Sequence, residues 1–143
     1  MIRSSWFPIA AAAVALVALF FACSPKNPEA VEVVKENLRA LNEGDTEALL
    51  ATIHPESPVY ENTVKIASQL SFKSLNFHLD KCDVVSATPN EVRVAFQQTT
   101  THETDEIPDF RDNRVTGSHV LRHDGDQWKI WATTITRVDY LDE

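Results

Sequence analysis

From residue 28 the apolar positions recur first with the period of a helix and, beyond residue 70, with the period of a strand. Val31, Val34, Leu38 and Leu41 fall on one face of a helix. Asn27 is placed to accept at its N-terminus, Pro28 fits a first position whose N–H is unused, and Gly44 fits a left-handed stop. Asp45 caps a second, short helix through Ala48, Leu49, Leu50 and Ile53, which Pro55 ends. Ser57 and Pro58 repeat the cap-and-proline device before a third helix that runs to about Leu70, with Val59, Ile66 and Leu70 on one side. Then Leu75, Phe77 and Leu79 alternate with Asn76, His78 and Asp80, and Val92, Val94 and Phe96 alternate with Arg93, Ala95 and Gln97. Thr88, Pro89 and Asn90 make the turn between these two strands. A third strand spans residues 113 to 123 and a fourth residues 128 to 140, joined at Asp124-Gly125, a two-residue hairpin signal. Helices first and strands afterwards predict an α+β domain, three N-terminal helices packed on the concave face of a curved four-stranded antiparallel sheet.

The first segment has a different chemistry. Arg3 is its only charge, residues 9 to 22 form an unbroken apolar run of 14, and small residues precede Cys23. Residues 1 to 22 read as a signal peptide and residues 23 to 27 as a modified cysteine with a short polar tether, leaving 28 to 143 as one domain. A run of 14 is short for a bilayer; counted from Trp6 it reaches 17, the length at which an uncleaved inner-membrane anchor becomes the alternative. Without Arg3 the rest of the chain holds 12 Lys and Arg against 21 Asp and Glu, a net charge of −9. With no basic stripe and no interleaved aromatics, that surface repels phosphate backbones and argues against nucleic acid as a partner. The chain has only two cysteines, so lipidation of Cys23 would leave Cys82 unpaired, to be read as a small apolar side chain.

Two resemblances sharpen this picture. Phe20-Phe21-Ala22-Cys23-Ser24 resembles the lipobox of bacterial lipoproteins, with Phe20 where Leu is usual. That resemblance implies acylation of Cys23 and, with Ser24 after it, a lipid anchor on the periplasmic face of the outer membrane. Leu41-Asn42-Glu43-Gly44-Asp45, His54-Pro55 and the late Gly125-Asp126-Gln127-Trp128-Lys129-Ile130 are similar to the nuclear transport factor 2-like superfamily, with its SnoaL-like and ketosteroid-isomerase-like domains. It implies a cone-shaped domain with a pocket between helices and concave sheet, and a dimer through the outer sheet face. On function it is nearly silent, because the fold hosts isomerases, cyclases, dehydratases and plain binding domains.

Few residues carry candidate chemistry. The acid pair of a ketosteroid isomerase has no match here: Asp45 is spent as a cap and no Asp falls on the inward parity of the strands before Tyr140. His54, His78, His102, His119 and His123 form no His-x-His pair, and a catalytic zinc site normally needs three protein ligands, so no metal is expected. With three glycines in the chain there is no phosphate loop and no nucleophile elbow, and no cofactor is implied. Arg111-Asp112-Asn113-Arg114 offers a charged cluster at a strand start.

What remains is the face of the last hairpin. If Asp124 and Gly125 are the turn, His123 opposes Asp126, Leu121 opposes Trp128, His119 opposes Ile130 and Gly117 opposes Ala132, all on one face. That face is the apolar one, and Gly117 with Ala132 leaves a space beside His119. Tyr60, Gln98 and His119 are therefore the candidate pocket residues, and Val120, Trp131 and Ile135 the candidate dimer surface on the outer face. The absence of a matched acid, base or nucleophile favours a small envelope-anchored binding or assembly module. The alternative is an enzyme, isomerase, cyclase or dehydratase-like, acting on a small apolar molecule in that pocket.

Overall fold

The structure, a computed structural model, describes residues 26 to 69, 74 to 104 and 107 to 141. The expected signal peptide, Cys23 and the expected last turn of the third helix at Leu70 lie outside the described residues. Helix α1 spans Pro28–Glu43, α2 Thr46–Ala51 and α3 Tyr60–Gln69. Strands β1 (Leu75–Ala87), β2 (Glu91–His102), β3 (Asn113–Asp124) and β4 (Gln127–Tyr140) form one antiparallel meander in sequence order. Among the described residues no helix is long and apolar enough to cross a membrane.

The caps are the ones the sequence offers. Asn27 Oδ1 accepts the Ala30 N–H at 3.1 Å and Asp45 Oδ1 accepts that of Ala48 at 2.9 Å. Gly44 closes α1 with φ 66°, where an L side chain would be strained. Just before it, Asn42 ties the helix end to the sheet edge: its amide donates to the Phe77 carbonyl and its carbonyl accepts the Phe77 N–H, both at 2.8 Å. The opposite edge is met at one point by the α2–α3 connection, where Ile53 bridges Ile130 in parallel. Ala30, Val34, Ile53, Val92, Val94, Leu121, Trp128 and Ile130 form the main core between α1 and the sheet. Ala40, Leu49 and Ala67 form a smaller one beneath α2 and α3.

The register of the last hairpin corrects the sequence reading. Asp124 pairs with Gln127 and Leu121 with Ile130, so Gly125 and Asp126 are the turn residues and the pairing is displaced by two. Gly125 takes the first central position with φ 64°, which only glycine enters freely; Asp126 has no positive φ. A displacement of two preserves the faces, but two irregularities in β4 do not. The first, between Ile130 and Ala132, sets His119 opposite Thr133 and Gly117 opposite Ile135. The second, between Ile135 and Arg137, sets Val115 opposite Val138 and Asn113 opposite Tyr140. Strand β3 has no such break against β2, where Val94 faces His119, Phe96 faces Gly117 and Gln98 faces Val115. Ile135 therefore belongs to the concave face, not to an outer surface with Val120 and Trp131, and Ala132 is not the partner of Gly117. Trp131 is itself engaged, with the His54 ring 5.0 Å away and the Arg122 guanidinium 4.3 Å over its face.

Candidate functional site

The concave side of the sheet and the three helices line an open-mouthed cavity of about 290 Å³. Leu41, Leu49, Ile53, Ile66, Ala67, Phe77 and Ile130 supply its apolar walls, and Asn37, Thr63, His119 and Thr133 its polar groups. Periodicity explains the convergence: Asn37 and Leu41 are one turn apart on α1, Thr63, Ile66 and Ala67 share a face of α3, and His119 and Thr133 are a cross-strand pair.

His119 is the distinctive side chain. Its ring stacks on Phe96 with centroids 4.4 Å apart and planes 16° from parallel, and Nδ1 lies 2.8 Å from the Thr133 hydroxyl. Burial pushes its imidazole down to about 4, so the ring is neutral near pH 7. Asn37 is held too, its amide donating to Thr52 Oγ1 at 2.7 Å while that hydroxyl donates to the Leu49 carbonyl. Among the described residues no Asp or Glu lines the cavity, so there the neutral imidazole has no carboxylate beside it to form a general acid–base pair.

The other residues singled out by sequence lie elsewhere. Tyr60 lines a separate depression with Glu47, Leu50, Pro55 and Lys129, on the far side of Ile53. Gln98 stands on the concave face further along β2, its amide 3.3 Å from Thr100 Oγ1, and is not part of the cavity wall. The space expected beside Gly117 is filled by the Phe96 ring, whose Cζ would lie 3.1 Å from a Cβ there. Buried His54 is structural: its Nδ1 accepts the Glu56 N–H at 3.1 Å, so Nε2 carries the proton and donates to the His123 carbonyl at 3.0 Å. His102 meets Asp112 at 2.5 Å and holds that carboxyl below its ordinary range through two hydrogen bonds. Arg111 lies over the Tyr140 ring while Arg114 turns to Asp80, so the charged run does not act as one cluster. Half-buried Cys82 packs on the main core, and burial raises its thiol, which makes it a poor nucleophile. Among the described residues no group of three His, Cys, Asp or Glu side chains is placed to hold a metal ion.

A larger groove of about 600 Å³ runs between α1, α2 and the hairpin tip. Its rim carries Glu29, Glu32, Glu36 and Asp126, of which Glu32 and Glu36 are paired with Lys35 and Arg39. Volume alone would favour it, but it contains neither a histidine nor a converging set of neutral polar groups. The smaller cavity is the better candidate.

Sequence reasoning missed Asn37, Thr133 and Phe96. A polar residue among Val34, Leu38 and Leu41 was a signal for Asn37; Thr133 has none, because the irregularity at Trp131 alone turns it inward.

A family model described as the anti-sigma-I factor RsgI9, C-terminal domain, matches residues 32–141. The chain belongs to that family. Among curated proteins none matches. The fold of this RsgI9 C-terminal-type domain recurs in solved structures of low identity. A protein of unknown function with a cystatin-like fold from Nostoc punctiforme is 13% identical, with a TM-score of 0.59 over 78% of this chain and 90% of that one. A putative dehydratase of the NTF2-like family from Streptomyces avermitilis is 18% identical, with a TM-score of 0.56 over 74% and 91%. An NTF-2 like protein of unknown function from Shewanella oneidensis is 13% identical, with a TM-score of 0.56 over 74% and 94%. At such identities these likenesses establish a nuclear transport factor 2-like fold for the RsgI9 C-terminal-type domain and nothing beyond the fold.

Proposed function

We propose that this domain is a non-catalytic binding module held at the cell envelope, whose cavity takes a small, mainly apolar molecule with one hydrogen-bonding group. One observation carries the reading: seven apolar side chains surround a neutral, well-anchored imidazole with no carboxylate beside it. Such a lining favours transfer of an apolar body from water and fixes its orientation through a few polar contacts. The family description supports it as well, since an anti-sigma factor is a regulator that works by binding. Calorimetric titration with indole tests it. Saturable one-to-one binding is expected, weakened about tenfold in His119→Leu, the cost of one lost hydrogen bond. Absence of saturable binding, or chemical conversion of a bound probe, would contradict a binding module.

The envelope location rests on Cys23 and the apolar run before it. An alkyne fatty acid fed to cells is expected to label the wild-type protein and not Cys23→Ala; equal labelling of both would remove the lipid anchor.

A further inference from the structure

The two edges of the sheet are closed at some points and open at one stretch. On β1, Asn42 takes both the N–H and the carbonyl of Phe77. On the first half of β4, Ile130 bonds Thr52 and His54 through its backbone, and the Trp131 carbonyl accepts from the Ser57 hydroxyl. Such contacts keep a further strand from adding to a sheet. From Thr133 to Tyr140, among the described residues, no group bonds the free side of the backbone. The Leu141 N–H donates to the Asp112 carbonyl, towards β3. Alternation then turns the N–H and carbonyl of Tyr140, of Val138 and, past the irregularity at Thr136, of Ile135 to the free side. The side chains of these three residues lie on the concave face, opposite Asn113, Val115 and Gly117, and are 54%, 46% and 50% exposed. An open edge and an apolar stripe coincide.

A second copy of this chain fits that edge. The chain carries a net charge of −8, so most of its surface repels its own copy, but residues 132–140 hold one arginine against one aspartate. An edge paired antiparallel with its own copy closes on a twofold axis. With the axis at Val138 and Thr136 left as the extra residue, Val138 meets Val138 of the second copy and Ile135 meets its Tyr140, all on the concave face. On the other face Arg137 meets the second copy's Asp139. Within one copy Arg137 uses only Nε, on Asp139 Oδ1 at 2.7 Å, which leaves its terminal nitrogens and the Asp139 Oδ2 for that contact. The neighbouring registers are worse: an axis at Arg137 sets two guanidiniums against each other, and an axis at Ile135 drives Tyr140 into the stretch that Ser57 already occupies. We propose that this domain forms a twofold dimer through the free edge of β4, Ile135–Tyr140 pairing with the same residues of a second copy about Val138. Of the outer surface expected from sequence, only Ile135 takes part. Six residues a side make a small interface, so the dimer is a weak one. It does not depend on what the cavity binds.

Sedimentation equilibrium of the full chain in detergent should give a monomer–dimer equilibrium with a Kd on the order of 10 to 100 µM. Arg137→Asp and Asp139→Arg each set like charges across the axis and should weaken the dimer at least about tenfold. Combined, they exchange the charges and should restore it to within about twofold. Val138→Cys should cross-link on oxidation, its Cα lying about 5.5 Å from that of the second copy. Thr134→Cys, roughly 20 Å from its counterpart in this register, should cross-link no more than the wild type, which keeps Cys82. A chain still monomeric at about 1 mM, single variants that dimerise like the wild type, or a double variant as weak as the singles would overturn the proposal. So would a Thr134→Cys that cross-links as well as Val138→Cys, because the contact would then lie in another register or on another surface.

Discussion

Replacing Gly117 by Ala should destabilise the domain by about 3 kcal/mol, lowering Tm by roughly 15 °C. The reason is backbone, not conformation: a Cβ at this position would meet the Thr134 carbonyl oxygen, and on its other side the Phe96 ring, with Cζ at 3.1 Å and Cε1 at 3.2 Å. An aromatic ring can shift by a few tenths of an ångström; the carbonyl of a paired strand can move only by giving up the register of β3 and β4. The same contact places Phe96 under His119, so the variant should lose indole binding before it unfolds. Gly125 is the internal control. A Cβ there meets nothing within 4 Å, and Gly125→Asn, which tolerates positive φ, should cost well under about 1 kcal/mol. Thermal unfolding of the two variants checks the pair, and near-equal Tm values would contradict the close approach of β4 to Gly117.

The second large effect is a dependence on pH. His119 has a folded-state pKa of about 4 against an ordinary 6.5, because burial disfavours the imidazolium. In the window between these values the unfolded chain binds the proton and the folded one does not. Stability must therefore rise with pH across the window, being fully present above pH 6.5 and lost as pH falls to 4. Two and a half pKa units correspond to about 3 kcal/mol. Carboxylates titrate over the same range, so the difference between wild type and His119→Leu isolates the imidazole. Urea unfolding at pH 7 and pH 4.5 should show the wild type losing about 2 to 3 kcal/mol more than the variant between the two pH values. Parallel losses would mean that the ring is solvated.

These two residues also show how far the sequence could be read. The faces of α1 and β3 were legible, because Asn27, Gly44 and Asp45 mark the helix ends and β3 keeps an unbroken alternation against β2. His119 could thus be set among inward positions, and the structure puts it in the cavity wall. Strand β4 was not legible. Its two irregularities leave no mark in a run such as Trp131-Ala132-Thr133-Thr134-Ile135, where Thr and Ile suit either face. A strand read with strict alternation sends Ile135 outward and makes Ala132 the neighbour of Gly117; the observed pairing brings Thr133 to His119 and Ile135 to Gly117. Tyr60 failed for a different reason. Its helix was found, but Ile53 stands between it and the cavity, and which of two depressions a helical side chain enters is decided by packing between elements.

The central claim, that the cavity beside His119 and not the larger acidic groove is where this domain binds, is tested most directly by mapping indole onto the protein with amide chemical shifts. The account predicts saturable changes clustered at Leu41, Leu49, Ile66, Phe77, His119 and Thr133, with Glu29, Val33 and Asp126 unmoved. Changes confined to Glu29, Val33 and Asp126, or none that saturate, would contradict it.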